Sequence, residues 1–284
     1  MKKIVAIAFV LLLSSNVWAQ KHEIGIMVGH PNLIADIGKT NYLQPYPTSL
    51  NPELVTFSAG LLYRFNLNPR QSLRLNLNYN QVRFDDAMAR EDYRIARDKR
   101  GKNTIIEGSI VFEYYLFDIN DIIEFDHSPY IFAGLGAFMY KDRLYTISHE
   151  SSTNPDGTIH TPTSATDFIT NVYYDEEFKS GFAIPFGVGY KVKFNYNWLV
   201  SAEIGVRATN IDRLDYSYST PEQYSKVYDA SLLSTPYDIT AEMANRENDI
   251  IRSNQTGNLK STDWYVISGV SLTYTFGRPP CFCD

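Results

Sequence analysis

The sequence predicts an all-β fold: an eight-stranded antiparallel transmembrane β-barrel with short periplasmic turns and long extracellular loops. Three observations carry that expectation. Apolar and polar residues alternate with period two over most of eight separate segments. Beyond the N-terminal leader no stretch reaches the ~18 apolar residues of a membrane helix. The links between segments alternate short and long, which is the habit of outer-membrane barrels.

Residues 1–19 have the layout of a secretory signal peptide: MKK, an apolar run from Ile4 to Leu13, then SSNVWA with a small residue at a cut after Ala19. The apolar run is about half the ~20 residues that span a bilayer, which argues against a retained anchor. The barrel is expected over 20–276 and a short tail over 277–284. Loss of Lys2 and Lys3 takes the formal charge from −6 to −8. The remaining basic residues are scattered singly, so there is no electrostatic footprint for nucleic acid. The 21 tyrosines suit surfaces where one end of a ring is apolar and the other wet.

The first strand, 22–30, sets Ile24, Ile26 and Val28 against Glu23. In the second, 54–66, Phe57, Ala59, Leu61, Tyr63 and Phe65 oppose Ser58, Gly60 and Arg64. The third, 72–84, places Leu73, Leu75, Leu77 and Tyr79 against Arg74, Asn76, Asn78 and Asn80. The fourth, 103–117, places Ile106, Ile110, Phe112, Tyr114 and Leu116 against Glu107, Ser109 and Glu113. The fifth, 128–141, SPYIFAGLGAFMY, is apolar on both sides, and its pattern does not orient it. In the sixth, 180–194, the even positions Phe182 to Phe194 are apolar against Gly187, Gly189, Lys191 and Lys193. The seventh, 197–210, opposes Trp198, Val200, Ala202, Ile204 and Val206 to Ser201, Glu203 and Arg207. The eighth, 261–276, opposes Val266, Val270, Leu272, Tyr274 and Phe276 to Ser271, Thr273 and Thr275.

Links after the second, fourth and sixth strands are short: LNPRQ, DINDIIEFDH and NYN. Those after the first, third, fifth and seventh run to about 23, 18, 38 and 50 residues, lengths that a compact soluble domain rarely leaves without structure. Lipid offers no hydrogen bonds to a backbone, so strands that cross it must close on themselves. A soluble lipocalin-like barrel would turn its apolar residues inward. Loop asymmetry and aromatic placement favour lipid. Tyr63, Phe65, Tyr114, Phe117, Tyr130, Phe132, Phe194, Tyr196, Trp198, Tyr274 and Phe276 are expected in a girdle at the short-turn end. Tyr79, Phe84, Tyr140, Trp264 and Tyr265 are expected in a second one at the long-loop end. Within the long loop 211–260, TPEQYSKVYDASLL carries a capping box on Thr220 and Gln223 with Pro221 at the first helical position. TAEMANRENDIIRS also has a helical pattern, so two helices are expected in a cap outside the membrane.

The inward face then gathers Glu23, Arg64, Arg74, Glu107, Glu113, Lys191, Lys193, Glu203 and Arg207. Eight strands leave an interior that side chains fill, so these charges are expected to pair in a polar plug, with Arg74 close to Glu113, and not to line a channel. No catalytic, cofactor or metal site is expected. The histidines at 22, 30, 127, 149 and 160 stand alone, there is no nucleophile elbow or phosphate-cradling loop, and DINDIIEFDH lacks the glycine and spacing of a calcium loop. The tail GRPPCFCD places Cys281 and Cys283 on the periplasmic side, where both termini of an eight-stranded barrel emerge. Their spacing suits a mutual bond poorly, which makes an intermolecular disulfide attractive; a strained internal bridge and free thiols are the alternatives.

HEIG after the leader, IADIG at 34–38, LLYRFNLNPRQSLRLNLNYNQV at 61–82, SPYIFAGLGAF at 128–138, FAIPFGVGYKVK at 182–193 and the ending YVISGVSLTYTF with its cysteine-bearing tail resemble the PorG family. That family is the outer-membrane barrel component of the type IX secretion system of Bacteroidota. The resemblance implies an integral outer-membrane barrel that anchors and organises a periplasmic ring made of a lipoprotein and its partner subunit. It implies no catalysis and no role as the cargo conduit, in a machine on which protein secretion and gliding motility depend. The long outer loops 142–179 and 211–260 depart from what the family leads one to expect. A small barrel of the OmpA or OmpX type, acting in envelope stability or adhesion through its outer loops, is the alternative.

Overall fold

The structure, a computed structural model, describes residues 22–40, 56–120, 126–152, 157–158, 167–194, 197–230, 232, 239–257 and 261–276. The leader 1–19 and the cysteine tail 277–284 lie outside the described residues.

Among the described residues nine strands form: β1 (His22–Ile34), β2 (Phe57–Asn68), β3 (Gln71–Asp85), β4 (Arg100–Tyr115), β5 (His127–Ser151), β6 (Phe168–Lys193), β7 (Trp198–Thr209), β8 (Tyr224–Tyr228) and β9 (Trp264–Phe276). Eight of them pair antiparallel in the order β4-β3-β2-β1-β9-β7-β6-β5, and β4 meets β5 to close the ring. The ninth, β8, lies outside the ring and joins β5 in parallel. Among the described residues no helix is long and apolar enough to cross a membrane. Closure gives every strand of the ring two hydrogen-bonded neighbours, which is what a backbone in hydrocarbon requires.

The pleat then sorts the side chains inside out relative to a soluble protein. Along β3, Leu73, Leu75, Leu77 and Tyr79 are exposed while Ser72, Arg74, Asn76, Asn78 and Asn80 are buried. The outward belt includes Leu135 and Phe182, 72% and 71% exposed, whereas the Arg64 side chain is 0% exposed. Lipid is the solvent that tolerates this belt, and the protein is an outer-membrane β-barrel.

The structure orients β5, which the sequence pattern left open. Ile131, Leu135 and Met139 face lipid, while Tyr130, Phe132, Phe138 and Tyr140 are buried in the lumen. Tyr130, Phe132 and Tyr140 therefore do not belong to the girdles expected from sequence, and neither do Phe84 and Tyr265, which are buried inside as well. The reason is parity: Phe84 shares the pleat face of Arg74, and glycines at the paired positions of the neighbouring strand β6 leave room for the β5 rings. A side chain on Gly189 would meet Tyr130 Cζ at 2.3 Å, and one on Gly187 would meet Phe132 Cζ at 2.8 Å. At the periplasmic end, aromatics do gather outside the wall. His22 stacks against Tyr63 and Phe276, and Trp198 meets Tyr274 edge-on.

Outside the membrane, the loop expected over 142–179 continues β5 and β6 as a hairpin, paired from Lys141 with Phe178 to Ser151 with Phe168. Burial on β5 changes parity between Asp142 and Tyr145, because the packed face passes from the lumen to the opposite side of the hairpin. Helix α2 (Ile239–Asn254) covers that side, following the short helix α1 (Asp92–Arg97) in chain order. Ile239 and Met243 pack with Phe168 and Leu232. Glu247 bolts α2 to the sheet, taking the Tyr228 hydroxyl at 2.7 Å, the Lys226 ammonium and the His149 Nε2 at 3.2 Å. The helix expected over TPEQYSKVYDASLL does not form. Its capping contact is present, with Thr220 N donating to Gln223 Oε1 at 2.9 Å, yet the turn stops at Gln223. Tyr224 stacks on Tyr145 at 4.9 Å and the chain extends as β8, so pairing with β5 overrides the local helix signal.

Candidate functional site

The lumen is where the sequence places its unusual chemistry. The inward charges come from six strands at pleat positions set by period two, so the wall aims them at one another. Lys191 on β6 donates to Glu23 Oε1 on β1 at 2.7 Å. Glu23 Oε2 takes Arg64 Nη1 of β2 at 2.7 Å. Arg64 Nε lies 2.7 Å from Glu113 Oε2 on β4. Glu113 Oε1 meets Arg74 Nη1 of β3 at 3.0 Å, and the same nitrogen reaches Glu203 Oε2 on β7 at 2.5 Å. The result is an alternating chain, Lys191, Glu23, Arg64, Glu113, Arg74, Glu203, of three cations and three carboxylates that crosses the lumen and ties six strands. A second pair stands apart: Arg207 Nε is 3.4 Å from Glu107 Oε2, which also takes the Tyr265 hydroxyl at 2.6 Å.

Neutral donors complete the network. Tyr130 donates to Glu203 Oε2 at 2.8 Å, Tyr115 to Glu113, Asn66 to Glu23 Oε1 at 3.0 Å and Thr273 to Glu23 Oε2 at 3.2 Å. The Arg74 guanidinium also lies 5.1 Å over the Phe132 ring. The two tyrosines escaped the sequence analysis. Tyr115 has the parity of Glu113, a usable signal, whereas Tyr130 lies in the strand that is apolar on both sides.

Both ends of the lumen are stoppered by connections folding inward. On the periplasmic side Ile119 is buried against Val111, Tyr115, Tyr130 and Phe132. Beside it Asn120 donates to Ser72 Oγ at 3.2 Å and accepts from Lys191 at 3.4 Å. On the outer side Ile37, Leu214 and Tyr216 join the lumenal cluster of Leu62, Val82, Ile105, Phe138 and Tyr265. Carboxylates hold these loops by their backbone: Leu214 N donates to Asp263 Oδ2 and Ile37 N to Asp215 Oδ2, both at 2.7 Å. Burial, together with the neighbouring Asp36 and Asp215 carboxylates, pushes Asp212 in the same loop up to about 7. Burial likewise raises Asp215 and Asp263.

Among the described residues no group of three or more His, Cys, Asp or Glu side chains is arranged to hold a metal ion. Asp118 of the fourth-to-fifth strand turn is engaged by Arg70. Cys281 and Cys283 lie outside the described residues.

A family model described as a domain of unknown function (DUF6089) matches residues 2–166 and 232–284. No curated protein matches the chain. Among solved structures it is similar to the N-terminal β-barrel domain of OprF from Pseudomonas aeruginosa, at 11% identity over 91% of this chain and 100% of that one, with a TM-score of 0.37. It is also similar to Ail, the attachment invasion locus protein of Yersinia pestis, at 11% identity over 90% and 99% of the two chains, with a TM-score of 0.37. Neisserial surface protein A matches at 9% identity over 90% and 97%, with a TM-score of 0.39.

Two outcomes are expected of this arrangement. Glu113→Gln leaves two buried guanidiniums short of a carboxylate and is expected to cost about 3–5 kcal/mol, seen as a lower urea midpoint in detergent micelles. Replacing a whole pair, Arg74→Met with Glu203→Leu, keeps the remaining charges balanced and is expected to cost less than Glu113→Gln alone; a larger loss for the pair contradicts the account. The outer stopper is expected to weaken as pH rises. Asp212 ionises near 3.8 unfolded but near 7 folded, so stability is fullest below about 4, declines up to about 7 and then levels. Asp212→Asn is expected to flatten that decline in hydrogen-exchange protection around Leu214.

Proposed function

The chain belongs to the DUF6089 family, and from that premise we propose that it is a non-catalytic outer-membrane barrel that anchors and organises the periplasmic ring of a type IX protein secretion machine. The observation that carries this reading is the sealed lumen. Among the described residues an ion chain crosses the lumen and connections pack into both ends, which argues against a route for cargo or solute and for work done at the two faces. The first and last described strands, β1 and β9, end side by side at His22 and Phe276, and from that end the GRPPCFCD tail with Cys281 and Cys283 is taken to continue into the periplasm. The resemblance to the PorG family supplies the partner: a ring of a lipoprotein and its companion subunit, held by one of those cysteines. Export follows cleavage after Ala19, and the part played in gliding follows from the assembled machine.

A second reading rests on the folded cap of hairpin, β8 and α2. A barrel of the OmpA or OmpX type acting through its outer loops has a use for such an ordered surface.

Two measurements test the first reading. In planar bilayers the purified barrel is expected to give no steady ion conductance; a stable open channel contradicts the seal. On non-reducing gels the wild type is expected to run as a cross-linked species that a Cys281→Ser, Cys283→Ser variant lacks, with ring subunits recovered by pull-down. Identical migration together with an empty pull-down removes the secretion role.

A further inference from the structure

We propose that the outer face carries a binding site for an anionic sugar, in the cavity between α1 and the C-terminal end of α2. The inference needs only the outward placement of the long loops and does not depend on the secretion role. The cavity encloses about 560 Å³, room for one or two sugar rings, and is lined by Asp36, Tyr93, Arg94, Arg97, Lys99 and Gln255 among others.

Its spare hydrogen-bonding capacity is mainly of one kind. Arg94 is fixed by its Nη1 on Gly38 O at 2.8 Å and by its Nε on the Tyr93 hydroxyl at 3.1 Å, with the Glu91 carboxylate 3.7 Å from the same Nε, leaving Nη2 unengaged among the described residues. Arg97 spends Nε and Nη2 on Asp86, at 2.6 and 2.7 Å, and keeps Nη1. Gln255 accepts from Ser219 N at 3.0 Å through Oε1, while its Nε2 is buried with no partner. Lys99 faces neutral oxygens, Thr256 Oγ1 at 2.6 Å and Ser253 O at 2.8 Å, and forms no ion pair among the described residues. Burial and the nearby Arg97 guanidinium lower its pKa, outweighing the opposite pull of the Asp86 and Asp215 carboxylates.

Two planar guanidinium forks and an amide, all donors, match the acceptor oxygens of a carboxylate or phosphate. Two further features call for more than a bare anion. The Tyr93 ring is 64% exposed and offers a flat face for a sugar ring. Asp36 takes the Ser261 hydroxyl at 3.2 Å, an acceptor of the kind a sugar hydroxyl needs.

Titration calorimetry on the full chain in detergent micelles tests this with four probes: glucuronic acid, glucose 6-phosphate, glucose and inorganic phosphate. The two anionic sugars are expected to bind, with glucose and inorganic phosphate weaker by about tenfold or more. Arg94→Gln and the surface change Tyr93→Ala are each expected to weaken the sugar acids by about tenfold while the barrel keeps its heat-modifiable gel mobility. Absence of binding by every probe, inorganic phosphate binding as tightly as the sugars, or unchanged affinity in a folded Tyr93→Ala variant overturns the proposal.

Discussion

A bilayer interior offers a peptide group nothing to bond to, and this one constraint shapes the whole chain. It forces β4 onto β5 so that no edge in the ring is left open, and a closed ring has an inside that cannot be lipid. Once the pleat has sent Leu73, Leu75 and Leu77 out to hydrocarbon, the alternate residues have no choice but the lumen. The same geometry that satisfies the backbone concentrates Arg64, Arg74, Glu113 and Glu203 in a space without bulk water.

Charges in such a space are tolerated only when each finds its opposite. The order Lys191, Glu23, Arg64, Glu113, Arg74, Glu203 answers that demand, since every interior member touches two partners of opposite sign. Hydroxyls from Tyr115, Tyr130 and Thr273 take up remaining carboxylate lone pairs. Glycines opposite the rings make room for them, so the polar network and the aromatic packing share one cross-section. Ile119 below and Leu214 above then close the ends, which moves any interaction with other molecules to the two faces of the barrel.

The two faces are built differently. Short turns on the periplasmic side leave little structure of their own. The outer side grows a hairpin, a parallel strand and a helix, joined by Glu247 to His149, Lys226 and Tyr228. The pocket by α1 belongs to this outer assembly, as do the carboxylates whose burial, with their mutual repulsion, makes the stopper pH-sensitive.

What the sequence determined by itself is the ring and its sidedness. Period two assigns faces along the membrane-crossing parts of β1 to β4, β6, β7 and β9 without knowledge of neighbours, though it missed the lumenal Phe84 and Tyr265, and loop length distinguishes the ends. Strand register is what the pattern lacks, so it named the lumenal charges one by one but not the chain they form. Tertiary structure alone decided the rest. The orientation of β5 rests on room provided by Gly187 and Gly189, its register partners on the neighbouring strand β6, and the strand at Tyr224 rests on Tyr145, some eighty residues earlier in the chain. The inward fold of Ile37 and Leu214 rests on Asp215 and Asp263, which lie 178 and 49 residues further along the chain. These are contacts between distant segments, and a local period carries no information about which distant side chain will offer space or a hydrogen bond.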